Sequence, residues 1–511
     1  MNIIDRYEEK INGVLATFDR LLINGYILQL FNYSTFGYYL HANGVKLVDF
    51  ADFAEAQTKL LRDHIEGYVK ESGVELKHLE SASTDKNELA REALSQDAQK
   101  TGLVAAFSTV ELCNTMTVKY STKSNKLEPV SRKTKCKHYY LYYNDDEFGW
   151  MFIKIQTWLP YNIQIYINGR EYLSRLLDDS GIGYKMYHNS FASIEDFDMA
   201  QKLADGVLNK KLSNSFDGMV RKIINLLPNI EKVFPDGYYW CVDQCEFATD
   251  INFKSKEELD MFYKTLVETA FFTFSSQDIY SFFGRKIENI QKLSKGDIVS
   301  DLRRRYQGYR IKFKFNSNQV KMYDKGNNLR IEITINNPKD FKVMKTKVDE
   351  ATGEVVGRKW MPMGKSIANL YRYVEISRAI TARFINALPD VDADRLPVKA
   401  VAEISSRKEV DGRPYSGFNV LNTDTLNLFT ALSDGAYVIR GFDNKLLRRK
   451  LFDDSESKFN VNKTTRIIGK LRAHGIIKKV QNKHRYYVTV NGRRIIDSIL
   501  LYTNRTLLKS A

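Results

Sequence analysis

The sequence predicts an α+β protein: an antiparallel-sheet core with flanking helices, followed by a separate and strongly basic C-terminal module. Three observations predict it. From about residue 112 the apolar period shifts from helical spacing to two, the mark of half-buried strands. The strand groups that follow alternate with helices in an antiparallel style, not in the regular strand–helix order of a doubly wound sheet. Last, Val461 to Ala511 carry twelve Lys and Arg against one acid, Asp497, in a chain whose net charge is +15. At 511 residues the chain exceeds one core, and 43% hydrophobic residues suffice to fill two to four. The expected divisions are a helical N-terminal region at 1–110, a meander with helices at 111–235, an α+β core with acidic strands at 236–395, and a linker with the basic module at 396–511.

In chain order, residues 1 to about 110 read mainly as helix, with the best periodicity over Phe50–Glu71. Thr115–Tyr120, Lys137–Tyr143, Trp150–Trp158 and Tyr161–Ile167 read as a meander, with turns at Asn144-Asp145-Asp146 and at Pro160. Asn168-Gly169-Arg170 leads into a helix over Glu171–Leu177, and helix returns from Ser193 to about Phe234. Tyr238–Phe253 is a strand. Ser255 then caps a helix over Lys256–Phe272, and a short helix over Ser276–Phe283 stops at Gly284. Residues 303–345 return to strands, with a Gly326-Asn327-Asn328 turn. Ser366–Leu388 reads as one long helix, and a mixed linker runs beyond Pro397 to about Asn422.

Composition excludes several classes. The four cysteines (Cys113, Cys136, Cys241, Cys245) form no CxxC pair, so no zinc knuckle or ribbon is signalled. The charged start M-N-I-I-D-R-Y-E-E-K does not read as a signal peptide, and no apolar run approaches the length of a membrane span. A cytoplasmic protein with reduced thiols and no membrane partner is expected. No nucleophile elbow and no HExxH motif occurs. The G-K-S at Gly364-Lys365-Ser366 precedes a helix, but Lys359 stands where a Walker loop needs glycine.

Acids set on strands of a basic chain are candidate metal ligands. Glu246 and Asp250 share one face of Tyr238–Phe253, while Cys241, Asp243 and Cys245 share the other. Glu332 sits between Ile331 and Ile333. Such carboxylates bind Mg²⁺ and orient water when neighbouring strands bring them together; on a solvated face, or beside Arg330, they need no such role. Arg303, Arg304, Arg305, Arg310, Lys312 and Lys314 form a basic cluster in which the last two alternate with Phe313 and Phe315. That pattern suits a sheet tracking a nucleic-acid backbone, and equally an edge strand protected by charge. Ser131 to His138 is a third basic stretch.

In the C-terminal module, Ile467, Ile468 and Leu471 have helical spacing and Gly475 follows as a stop. A strand, a polar turn and a strand come next. Helix, strand and basic hairpin over residues 422–495 resemble the winged-helix superfamily. The resemblance implies a nucleic-acid partner, docked by Lys463, Arg466, Lys470 and Arg472 on the helix and by Lys483, His484 and Arg485 on the wing. Winged helices also serve as protein–protein modules, and often work as dimers.

A second resemblance rests on Y-D-K-G-N-N-L-R-I-E, Tyr323 to Glu332, with A-T-D-I-N-F upstream. It is similar to rolling-circle replication initiators of plasmids and mobile elements. The resemblance implies a metal on Glu332 and Asp250 and a tyrosine nucleophile, for which Tyr280 is the candidate. The family's His-hydrophobe-His pair is absent from this chain. The resulting expectation is a nucleic-acid-binding protein, of DNA or structured RNA, that nicks or cleaves with Mg²⁺ on Glu246, Asp250 and Glu332. The alternative is a non-catalytic regulator or RNA partner.

Overall fold

The computed structural model describes the chain apart from residues 1, 98–99, 286–297, 306–307, 349–351, 390–397, 421, 453–455, 482 and 510–511. The start of the linker, at Pro397, lies outside the described residues. The remainder is α+β, with a large and mostly antiparallel sheet. Its strands are β1 (Ile11–Tyr26), β2 (Leu76–His78), β3 (Gly102–Ser121), β4 (Lys126–Asp145), β5 (Gly149–Gln156), β6 (Ile163–Asn168), β7 (Tyr239–Phe253), β8 (Ile298–Arg305), β9 (Gly308–Phe315), β10 (Asn318–Lys325) and β11 (Asn328–Ile335). Two compact units divide the chain. A terminal unit holds Met1–Leu15, Thr249–Ile333 and Ser377–Ala511; a middle unit holds Ala16–Ala248 and Thr334–Ile376.

In the middle unit the strand order is β7-β1-β6-β5-β4-β3-β2. All the registers described there are antiparallel except β2 on β3. The hairpin β3–β4 is the longest, with register running from Gly102↔Asn144 to Ser121↔Lys126. The helix Phe50–Glu71 buries Ala54, Thr58, Leu61, Ile65 and Val69, one stripe of its surface. Thr58 Oγ1 donates to the Thr157 carbonyl at 3.1 Å, which satisfies a hydroxyl inside that stripe. The helix Gly169–Asp179 starts where Asn168 accepts from the Arg170 and Glu171 amides. Gly169 is required there, because a Cβ would stand 2.1 Å from the Phe18 carbonyl oxygen.

In the terminal unit the order is β8-β9-β10-β11-β7. β11 is buried along its whole length, as a strand covered on both faces must be. The helix Lys256–Thr273 begins as expected, with Ser255 Oγ accepting from the Glu258 amide. The C-terminal module is built from helices Thr423–Leu432, Gly435–Arg440, Asn444–Leu451 and Lys458–Ala473, the hairpin Ile477–Lys479 with Tyr486–Val488, and helix Val490–Lys509. Its core joins Phe429, Leu432, Phe442, Leu447, Ile468 and Leu471. Phe442 pairs with Tyr486 through two backbone hydrogen bonds of 2.9 and 2.7 Å.

Several elements depart from the sequence reading, among them β3, which begins at Gly102 inside the region read as helix. Ile11–Tyr26, within a region read mainly as helix, is a 16-residue strand. Buried residues fall on both of its faces around Phe18, and this hides the period of two from the sequence. The helix Val490–Lys509 follows the last hairpin where no element was read.

Candidate functional site

The acids singled out by sequence are buried, so each requires a partner. In the middle unit Arg20 Nε lies 3.1 Å from Glu246 Oε2. Asp19, which the sequence reading passed over, accepts from Asn189 Nδ2 at 2.9 Å and lies 3.6 Å from Arg170 Nε. Asp19 and Glu246 each present a carboxylate oxygen, and the two lie within 4.8 Å of one another. In the terminal unit Asp250 receives both arms of Arg330, at 2.6 and 2.8 Å, with Arg330 fully buried. Bidentate pairing of this kind is the strongest arrangement open to a buried carboxylate. It occupies both oxygens expected to serve a metal. Glu332 accepts from Lys321 Nζ at 2.5 Å and from the Tyr323 hydroxyl at 2.6 Å. Burial pushes the Glu332 carboxyl up, but the charge of Lys321 and these two hydrogen bonds outweigh it and hold the group below its ordinary value. The Tyr323-x-Lys325 and Arg330-x-Glu332 strands of the sequence pattern thus carry two buried ion pairs, Arg330 with Asp250 and Glu332 with Lys321.

Tyr280 lies on the helix Ser276–Phe282, half-buried, with its ring centroid 5.0 Å from that of Phe315. The G-K-S segment caps a turn: Ser366 accepts from the Ala368 amide, and Lys365 Nζ lies 3.2 Å from Asp243 Oδ1.

The basic residues divide into displayed and engaged groups. On Lys458–Ala473, Thr464, Ile468 and Leu471 turn inward. Phe459, Asn462, Lys463 and Arg466 lie away from that side and are exposed, Phe459 by 74%, with Lys463 Nζ also 5.0 Å over the Phe452 ring. Arg472 is also exposed, but on another side of the same helix. Lys470 is engaged: its Nζ donates to the Gly417 carbonyl at 2.9 Å and stands 4.1 Å over the Phe418 ring. Burial there lowers its pKa. Lys483, His484 and Arg485 lie in the turn of the last hairpin, where the Val480 amide donates to the Arg485 carbonyl at 2.8 Å. The first two are exposed.

In the β8–β9 hairpin a single acid, Asp301, is shared by Arg303, Arg310 and Lys312 at 3.0, 3.1 and 3.3 Å. The patch stays positive, with Arg304 exposed and Arg305 over the Tyr323 ring at 5.2 Å. The alternation read from sequence holds, since Phe313 and Phe315 are buried while Lys312 and Lys314 are half-exposed. β8 is also an edge strand.

One surface in the middle unit escaped the sequence reading. The ribbon Lys342–Val348 with Val355–Pro362 places Arg358 and Lys359 beside Trp360, which is 60% exposed. The alternation of cations and an exposed aromatic in V-V-G-R-K-W-M was the signal. Among the described residues no helix is long and apolar enough to cross a membrane.

No protein-family model matches the chain, and no curated protein or solved structure matches it either.

Proposed function

We propose that this chain binds nucleic acid, DNA or structured RNA, through the helix Lys458–Ala473 and the hairpin after it. The observation that carries the reading is the set of exposed cations on two preformed elements, Lys463 and Arg466 on one helix face and Lys483 in the adjoining turn. Cations held on rigid elements neutralise phosphates and release counterions with little ordering entropy lost. The order of helices, the Phe442–Tyr486 pairing and the short hairpin support a winged-helix reading of the module. The buried acids support a binder over a nuclease, because Asp250, Glu246 and Glu332 each face a cation of their own unit. A second reading, Mg²⁺-dependent cleavage, draws on Asp19 and Glu246, whose oxygens lie within 4.8 Å.

The test is fluorescence anisotropy of labelled duplex DNA, hairpin RNA and single strands at low salt, followed by incubation with Mg²⁺. Binding that leaves the nucleic acid intact supports the binder. Cleavage that needs Mg²⁺ and disappears in Glu246→Gln or Asp19→Asn establishes the second reading. No binding to any of the three at low salt overturns the proposal.

A further inference from the structure

The hairpin β3–β4 carries a donor set of two cysteines and a histidine with no CxxC spacing. Cys136 and His138 are two apart on β4 and therefore share a face. Cys113 stands on β3 two residues away in register and so on the same face, since Cys113 faces Thr134 and Cys136 faces Glu111. The two sulfurs are 2.8 Å apart, and the His138 Nδ1 is 3.9 Å from Cys136 Sγ. All three donor atoms lie within 4.8 Å of one another. His138 is 3% exposed, and both thiols are half-buried.

We propose that Cys113, Cys136 and His138 form a site for a thiophilic divalent cation, zinc foremost. Two sulfurs and an imidazole are the donors that select such an ion over Mg²⁺ or Ca²⁺. Zinc–sulfur bonds of about 2.3 Å at tetrahedral angles separate two sulfurs by about 3.8 Å. The pair must therefore open by about 1 Å, within the reach of a small χ1 rotation. On binding, both thiols lose their protons to solvent, His138 Nδ1 gives up its 3.1 Å contact with the Cys136 carbonyl to ligate as the unprotonated nitrogen, and the two thiolates neutralise the ion. Lys154, the nearby cation, is already matched by Glu111 at 2.6 Å.

The fourth position faces a cavity of about 220 Å³, bordered by Cys113 and His138 and lined further by Asn24, Asn114, Lys154 and Gln156. Three protein ligands with one open position are the arrangement of zinc sites that keep a water or take a small polar ligand. A disulfide is the competing state of this pair, since sulfurs 2.8 Å apart lie between the roughly 2.05 Å of an S–S bond and the spacing of two zinc-bound thiolates, although the register works against it. Diagonal neighbours on antiparallel strands have Cα atoms about 7–8 Å apart, beyond the roughly 4.4–6.8 Å that a disulfide spans.

The experiment uses the full chain, stripped with a chelator under reducing conditions and then titrated with Co²⁺ and with Zn²⁺ against a chromophoric competitor. The expected result is one ion per chain, with a thiolate-to-cobalt charge-transfer band and strong visible ligand-field bands. Cys113→Ser and Cys136→Ser each weaken binding by at least about 100-fold, since loss of an outer-shell partner alone costs about 10–100-fold. Cys241→Ser, at a buried thiol on β7, leaves binding unchanged. Cys113 is half-exposed, so its serine variant keeps the fold; circular dichroism checks this. Absence of the charge-transfer band overturns the proposal, as does serine-variant affinity equal to that of the parent chain. Titration of only two of the four thiols in denatured, unreduced protein identifies a disulfide and overturns it too.

Discussion

The sharpest prediction concerns the salt dependence of nucleic-acid binding. Each phosphate neutralised in a B-form duplex contributes about −0.9 to the slope of log K against log salt. Lys463 and Arg466, on one side of helix Lys458–Ala473, and Lys483 and Arg485, in the hairpin turn after it, make four cations for one binding face, with the exposed Arg472 on another side of the helix. Four contacts give a slope of about −3.6, so affinity falls roughly 150-fold between 50 and 200 mM salt. Lys463→Ala with Arg466→Ala removes two contacts and lowers the slope to about −1.8, a fall of only about 12-fold over the same range. Lys470→Ala, four residues on, behaves differently. Its ammonium is held by the Gly417 carbonyl and the Phe418 ring, so the variant keeps the parent slope and loses thermal stability instead. The assay is anisotropy of a labelled duplex at five salt concentrations, with a melting curve for each variant. A double variant with the parent slope refutes the placement of the interface. A Lys470→Ala variant that flattens the slope as much as Arg466→Ala refutes the division into displayed and engaged cations.

Three further outcomes are expected. Asp250→Asn takes from the fully buried Arg330 the carboxylate that receives both of its arms and destabilises the chain by about 3–5 kcal/mol in urea denaturation, whereas Asp250→Leu with Arg330→Met stays near the parent value. Equal losses in the single and double variants would show that packing, not charge, governs the site. Asp278, buried and close to Asp434, has its carboxyl pushed up from the ordinary 3.8 to about 7, first by burial and then by that neighbouring acid. The folded state therefore holds a proton that the unfolded chain releases, so this group's stabilisation is complete below about 4 and fades as pH rises to about 7. Melting across that window should show the decline, and Asp278→Asn should flatten it; an unchanged profile sinks the assignment. Gly169→Ala forces a Cβ to 2.1 Å from the Phe18 carbonyl and should destabilise by at least about 1–3 kcal/mol, read by the melting temperature.

Local signals were legible wherever the chain's immediate neighbours decide the structure. Ser255 followed by Lys-Glu-Glu marked a capped helix, and the helix starts there with Ser255 as its cap. Gly326-Asn327-Asn328 marked the turn between β10 and β11, and Gly326 takes a φ of 63° there. The alternation of Lys312, Phe313, Lys314 and Phe315 marked which face of β9 is buried. Ile11–Tyr26 was not legible, because a strand covered on both sides around Phe18 shows no alternation to read.

By itself, the sequence determined the α+β class, the basic character of the C-terminal module and the helix-plus-hairpin order at residues 458–488. These follow from periodicity, capping and composition, which act over a few residues. Tertiary structure alone decided the partners. Asp250 meets Arg330 across 80 residues, Arg20 meets Glu246 across a longer span, and Lys470 turns toward Phe418 while Arg466 four residues earlier stays exposed. The same holds for Cys113, Cys136 and His138, which the strand register brings together. The physical reason is that a charge or a thiol has no fixed role until the fold sets what it faces and how much water remains. Register and burial supply both, and neither is encoded in the spacing of residues along the chain.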